Sequence, residues 1–190
     1  VSINAASGGG TVTLDADLDN LETVTVTGAG RVVVSTAETT IETFNASGNT
    51  GGVSFTSGVL AEDATVTGGS GADVFNLAAA TGDLTVNSGA GNDIVTGGAG
   101  DDTIDLGAGN DIVNGSAGAD AITLGAGNDI AVYAAGQSSV AALDTIADFA
   151  VGSDTLDISA LLGTASGPAE LIAVENAVDG LAAGSTLTQA

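Results

Sequence analysis

From Ser88 to Val132 the chain repeats itself every nine residues in unbroken phase: SGAGNDIVT, GGAGDDTID, LGAGNDIVN, GSAGADAIT and LGAGNDIAV. The sixth residue of every unit is an aspartate, which gives Asp93, Asp102, Asp111, Asp120 and Asp129. A nine-residue unit is too short to bury its own apolar residues, so copies must stack on one another, as in a solenoid. Each unit divides into a glycine-rich turn of six residues and a strand of three with β-branched or apolar side chains. Eleven of these 45 residues are glycine. Glycine in an ordered element loses roughly 0.5–1 kcal/mol relative to alanine, so another interaction has to offset that loss. A flexible acidic linker has no reason to hold an aspartate in phase through five units.

Upstream, the same pattern continues with a longer period. Strand-like runs begin near Val12, Val32, Val53, Val74 and Ile94, and a second series passes through Val24, Phe44, Thr65, Leu84 and Ile104. Two strands per coil and about twenty residues per coil, shortening to eighteen in the nonapeptide zone, make one continuous structure. The expected fold is all-β, a right-handed parallel β-solenoid or β-roll with two short strands per coil and a short C-terminal cap. Three stretches are expected along it: a Val/Thr-rich solenoid over 1–67, the nonapeptide roll over 68–135, and a cap and secretion-associated segment over 136–190.

Turns two units apart lie on one edge of such a coil. Asp93, Asp111 and Asp129 therefore stack on one edge, and Asp102 and Asp120 on the other. Stacked strands are about 4.8 Å apart, so successive carboxylates nearly touch and repel. A hard divalent cation between them removes the penalty, and glycine turns let backbone carbonyls complete a shell of roughly 6–8 oxygens. The available donors in these turns are all oxygen, and stacked flexible carbonyls suit Ca²⁺ better than the tight octahedron of Mg²⁺. The candidate ligands are the side chains of Asp93, Asp102, Asp111, Asp120 and Asp129. Candidate carbonyl donors are Gly89, Gly91, Gly98, Gly100, Gly107, Gly109, Gly118, Gly125 and Gly127. Several calcium ions are expected.

Charge points the same way. Twenty-four acidic residues face one basic residue, Arg31, for a net charge of −23. Self-repulsion on that scale opposes compaction unless cations from solution neutralise it, so the chain is expected to be poorly ordered without metal. Nothing here can neutralise phosphates, which argues against nucleic acid as a partner. With no histidine and no cysteine, zinc hydrolysis and Ser/His, Cys/His or thiol chemistry are excluded within the chain. Paired acids alone could run a glycosidase, but five aromatics make a poor sugar-stacking cleft. The chain is expected not to be an enzyme. No stretch approaches the ~20 apolar residues of a membrane span. Val1 in place of a start methionine reads as a processed product or part of a longer protein.

These units resemble the GGxGxDxUx pattern of RTX (repeat-in-toxin) proteins, the calcium-binding β-roll modules. GGSGADVFN at 68–76 is similar to a sixth copy, which implies Asp73 as a further candidate ligand, and is followed by the degenerate LAAATGDLT at 77–85. LDTIADFAVGSDTLDIS at 143–159 resembles the segment that closes RTX rolls in exported proteases and surface proteins. The Val/Thr-rich region 1–67 is similar to the solenoid bodies of RTX-type bacterial surface-layer proteins. The resemblance implies type I secretion with an uncleaved C-terminal signal, folding on extracellular calcium, a secreted cell-surface location and self-association into a surface lattice. The alternative it leaves open is the C-terminal folding and secretion module of an RTX enzyme, toxin or adhesin. Four positions depart from the pattern: Ser116 replaces a glycine, Leu106 and Leu124 open their units, and Ala131 stands where a larger core residue is usual.

Further acids form a second rank of candidates. Asp83, Asp144, Asp148 and Asp154 are weighed as additional ligands against solvated turn residues, as are Glu22, Glu42 and Glu62. Period-two alternation points Val95, Ile104, Val113 and Ile122 inward and leaves Val74, Ile94, Ile112 and Ile130 outside. Such an aliphatic column needs a cover. Either residues 140–182 supply it, with a short helix between Pro168 and Gly180, or a neighbouring subunit does.

Overall fold

The computed structural model describes residues 1–6, 8–14, 21–37, 39–134, 137 and 142–160. Strand and turn alternate along the described residues up to Asp157. Chain order gives β1 (Ser2–Ala5), β2 (Gly10–Leu14), β3 (Thr23–Gly28), β4 (Val32–Thr36), β5 (Thr43–Asn49), β6 (Val53–Thr56), β7 (Ala64–Thr67) and β8 (Val74–Asn76). It continues with β9 (Leu84–Asn87), β10 (Ile94–Thr96), β11 (Thr103–Asp105), β12 (Ile112–Asn114), β13 (Ala121–Thr123), β14 (Ile130–Val132), β15 (Thr145–Ile146) and β16 (Thr155–Asp157). Odd-numbered strands form one eight-stranded sheet and even-numbered strands another, every named pairing parallel and each coil giving one strand to each sheet. This is the expected parallel solenoid with two strands per coil.

Three-residue strands suffice because each pairs on both sides. Val95 of β10 faces Phe75 and Val113 in the neighbouring coils, and Ile104 of β11 faces Val86 and Ile122. All six are buried between the sheets, as the alternation required. Leu106 and Leu124, read in the sequence as departures, are fully buried: they carry core packing around the corner after β11 and β13. The wider upstream coils are filled by aromatics. The Phe44 and Phe55 rings stack with centroids 3.9 Å apart, and Phe75 meets Phe44 edge-on at 6.3 Å.

Register upstream differs from the simple spacing of the runs. Val12 pairs with Val34, and Val74 pairs with Ser54, because inward residues must align with inward residues: Val34, Phe55 and Phe75 are buried. β1, β15 and β16 were not singled out in the sequence. β16 lies beside β14 with Leu156 opposite Ala131, so the small Ala131 sits where the closing segment brings in Leu156 from the next layer. The expected helix between Pro168 and Gly180 lies outside the described residues.

The outward column exists in register: Val74, Ile94, Ile112 and Ile130 are cross-strand neighbours. Ile94 is 42% exposed, and the other three are half-buried. Among the described residues no helix is long and apolar enough to cross a membrane.

Candidate metal centre

The sixth-position aspartates form two buried columns, one per edge. On the edge leading into the even-numbered strands, Asp73 N–H donates to Asp93 Oδ1 at 2.8 Å, Asp93 N–H to Asp111 Oδ1 at 2.7 Å and Asp111 N–H to Asp129 Oδ1 at 2.8 Å. On the opposite edge Leu84 N–H donates to Asp102 Oδ1 at 2.9 Å, and Asp102 N–H to Asp120 Oδ1 at 2.9 Å. Each carboxylate thus reaches back to the coil before it and caps a turn amide that the strands leave unserved. The sequence reading anticipated the stacking but not these bonds, which are invisible without the register.

Asp93, Asp102, Asp111, Asp120 and Asp129 are at most 1% exposed. One hydrogen bond does not satisfy a buried carboxylate. Asp93, Asp111, Asp120 and Asp129 each hold a buried Oδ2 with no hydrogen-bond partner. Burial pushes Asp93 and Asp102 up to about 6, with neighbouring carboxylates adding to the shift: Asp73 and Asp111 beside the first, Asp120 and Asp83 beside the second. The Asp73 N–H and the Ser88 hydroxyl oppose it at Asp93, and the Gly98 and Leu84 N–H groups at Asp102. Asp111, Asp120 and Asp129 are raised for the same leading reason, burial. Four orphaned buried oxygens amid mutual repulsion are what a cation between the turns would resolve, so the residues fit such a group. When bound it would supply the missing positive charge.

Glycine lets the turns approach closely enough to offer oxygens. Gly109 and Gly127 both have φ of 152°, and a Cβ on either would overlap the carbonyl oxygen of Gly91 or Gly109 in the preceding coil. On the other edge a Cβ on Gly118 would overlap Gly100 O. The Gly89, Gly98 and Gly107 carbonyls accept from Ala108, Ala117 and Ala126 N–H and retain a second lone pair each. Gly125 repeats the arrangement of Gly107, with φ of 88° against 85°. Ser116 stands at φ 77°, a left-handed conformation that its neighbouring units reserve for glycine. Among the described residues no three acidic side chains converge on one point, so carbonyls would form much of any ligand shell.

The remaining candidates divide by what their second oxygen does. Asp73 is fully buried, but both its oxygens accept backbone N–H groups, from Val53 and Gly69. Asp102 Oδ2 accepts from Gly98 N–H. Asp144 extends its column by accepting from Asp120 N–H, and the buried Tyr133 hydroxyl favours its charged form. Burial also pushes Asp144 up to about 6. Asp154 extends the other column, accepting from Asp129 and Ala150 N–H, and Asp148 accepts from Leu124 and Gly125 N–H. Glu22 and Glu42 are backbone neighbours, whereas Ala64 stands opposite Leu84 and Thr65 opposite Thr43, which puts Glu62 out of their column.

A second, outer ladder went unnoticed in the sequence. It is built from fifth positions and runs the opposite way, each later coil donating to an earlier side chain. Asn110 N–H donates to Asn92 Oδ1 and Asn128 N–H to Asn110 Oδ1, both at 2.9 Å. On the opposite edge Asp101 N–H donates to Asp83 Oδ1 and Ala119 N–H to Asp101 Oδ1, both at 2.8 Å. Asn or Asp before the invariant aspartate was the available signal.

Comparison with family models returns a match over residues 36–185 to the C-terminal region of serralysin, a peptidase M10. That span covers most of the chain, including the whole nonapeptide block. The chain belongs to the serralysin C-terminal family. No curated protein matches it. Serralysin C-terminal regions are the RTX-type repeat part of these proteins, separate from the catalytic part, and occur in secreted proteins. The RTX repeat family binds calcium, and the buried aspartate columns of this serralysin C-terminal roll coincide with its repeats.

Proposed function

We propose that this chain is a calcium-locked structural module of a type I secreted protein, exported unfolded and closed by extracellular calcium. The observation that carries the reading is the set of buried, unpartnered Oδ2 atoms on Asp93, Asp111, Asp120 and Asp129. In the absence of a cation these carboxylates repel and lack solvation, so metal binding and folding are one event. Ligands are the Oδ2 atoms of these four aspartates with the carbonyls of Gly89, Gly91, Gly98, Gly100, Gly107, Gly109, Gly118, Gly125 and Gly127. Asp73, Asp102 and Asp154 act mainly as amide caps. The test is far-UV circular dichroism during a calcium titration, with magnesium as the control. A cooperative gain of β signal in calcium alone supports the lock; a spectrum already β-rich in chelator and unmoved by calcium refutes it.

A surface-layer role is a second reading, favoured by the in-register aliphatic column with Ile94 exposed at its centre. On that reading Ile112→Lys impairs assembly into ordered particles and leaves the calcium-loaded monomer folded. Loss of monomer folding would assign the column to cover by the chain itself.

A further inference from the structure

The two edges of the roll differ in the charge that spans each gap between stacked turns. The gap between turns 106–111 and 124–129 is crossed from inside by Asp129, which accepts from Asp111 N–H, and from outside by Asn110, which accepts from Asn128 N–H. One gap earlier the pair is Asp111 and Asn92. Across the roll, the gap between turns 97–102 and 115–120 is crossed from inside by Asp120 and from outside by Asp101. A carboxylate there replaces the carboxamide, so two formal charges stand where the other edge has one.

Two observations accompany the carboxylate pair that bridges this gap. Asp120 is 1% exposed with an unpartnered Oδ2, and Asp101 lies close enough to repel it. The adjoining gap also holds two carboxylates, Asp83 and Asp102, but there Asp102 Oδ2 is occupied by Gly98 N–H. Affinity of oxygen sites for hard dications rises with the number of charged ligands, and a carboxylate pair without a cation repels.

We propose that the gap between turns 97–102 and 115–120 is a distinct, tighter divalent-cation site in which Asp101 joins Asp120 as a second carboxylate, filling before the asparagine-flanked gaps. The inference rests on the calcium-binding reading above. Its test is a calorimetric calcium titration of the full 190-residue chain as wild type, Asp101→Asn and Asn110→Asp. Both substitutions keep the oxygen that accepts the neighbouring amide. Asp101→Asn is expected to weaken the tightest class of ion about tenfold, through its ligand charge count, without changing the β signal at saturating calcium. Asn110→Asp is expected to create a second tight site. A tight class unmoved by Asp101→Asn, or no gain from Asn110→Asp, overturns the inference while calcium binding stands. Wild-type protein that takes up no calcium overturns both.

Discussion

Replacing Asp93 with asparagine should act in opposite directions with and without calcium. Burial raises the Asp93 carboxyl from 3.8 to about 6, and two units at about 1.4 kcal/mol each mean that the folded, metal-free roll disfavours this charge by about 3 kcal/mol. The folded state holds the proton more tightly than the unfolded chain. This contribution to metal-free stability is therefore full below pH 3.8 and is lost as pH rises through about 6. Asparagine keeps an oxygen for Asp73 N–H and carries no charge, although its amide donors enter a position where Oδ2 has no partner. That mismatch costs about 1–2 kcal/mol, leaving a net gain of about 1–2 kcal/mol in chelator at pH 8. Near pH 4 the gain should vanish, because the wild-type acid is then protonated. In millimolar calcium at pH 8 the sign should reverse, the variant needing about tenfold more calcium for the same β signal. Folding driven by the osmolyte TMAO in chelator at pH 8 and pH 4, and urea unfolding in calcium at pH 8, each followed by far-UV circular dichroism, read all three. If Asp93→Asn loses as much stability in chelator at pH 8 as in calcium, the carboxylate is a plain hydrogen-bond acceptor and the argument from its buried charge is wrong.

Gly109→Ala should destabilise the calcium-loaded roll by about 2 kcal/mol or more, since its φ of 152° and the Gly91 carbonyl both exclude a Cβ; Gly10→Ala, with nothing within 4 Å of the added carbon, should stay within about 0.5 kcal/mol in the same melt. Leu124→Ala should cost about 2–5 kcal/mol in thermal or urea unfolding in calcium, because the side chain is fully buried at a corner with little room to relax. Tyr133→Phe removes the hydroxyl that favours the Asp144 carboxylate, with an expected loss of about 1 kcal/mol. It should also move the Asp144 carboxyl further above about 6, read by pH titration of an isotope-labelled aspartate side chain.

Much of the architecture was readable from the chain because two independent periods agreed. The nine-residue phase fixed which turns share an edge, and period-two alternation within DIV, DTI and DAI fixed which side chains face in. Both survive in the packing of Val95, Ile104, Val113 and Ile122. Leu106 and Leu124 depart from the motif because it is written for turns and treats its first position as glycine, whereas corners of a thin coil still need volume. Upstream, Val/Thr-rich runs align with themselves at several offsets, so the pairing of Val12 with Val34 needed the core to decide it. At the candidate site the sequence pointed to the aspartates but not to their division into capping oxygens and orphaned ones. That division depends on whether a backbone N–H, such as Gly98 at Asp102, happens to face the second oxygen.

The opposed inner and outer ladders bear on how long such a protein can be. Inside the block every side-chain bond from turn to turn spans eighteen residues; at the far end the same amides of Asp120 and Asp129 are served by Asp144 and Asp154, 24 and 25 residues away. The closing segment thus meets the last coil with the same kind of acceptor that another coil would offer. An extra eighteen residues spliced in before it would find every donor and acceptor already in place. The inner and outer ladders themselves therefore set no limit on the number of coils that can stack.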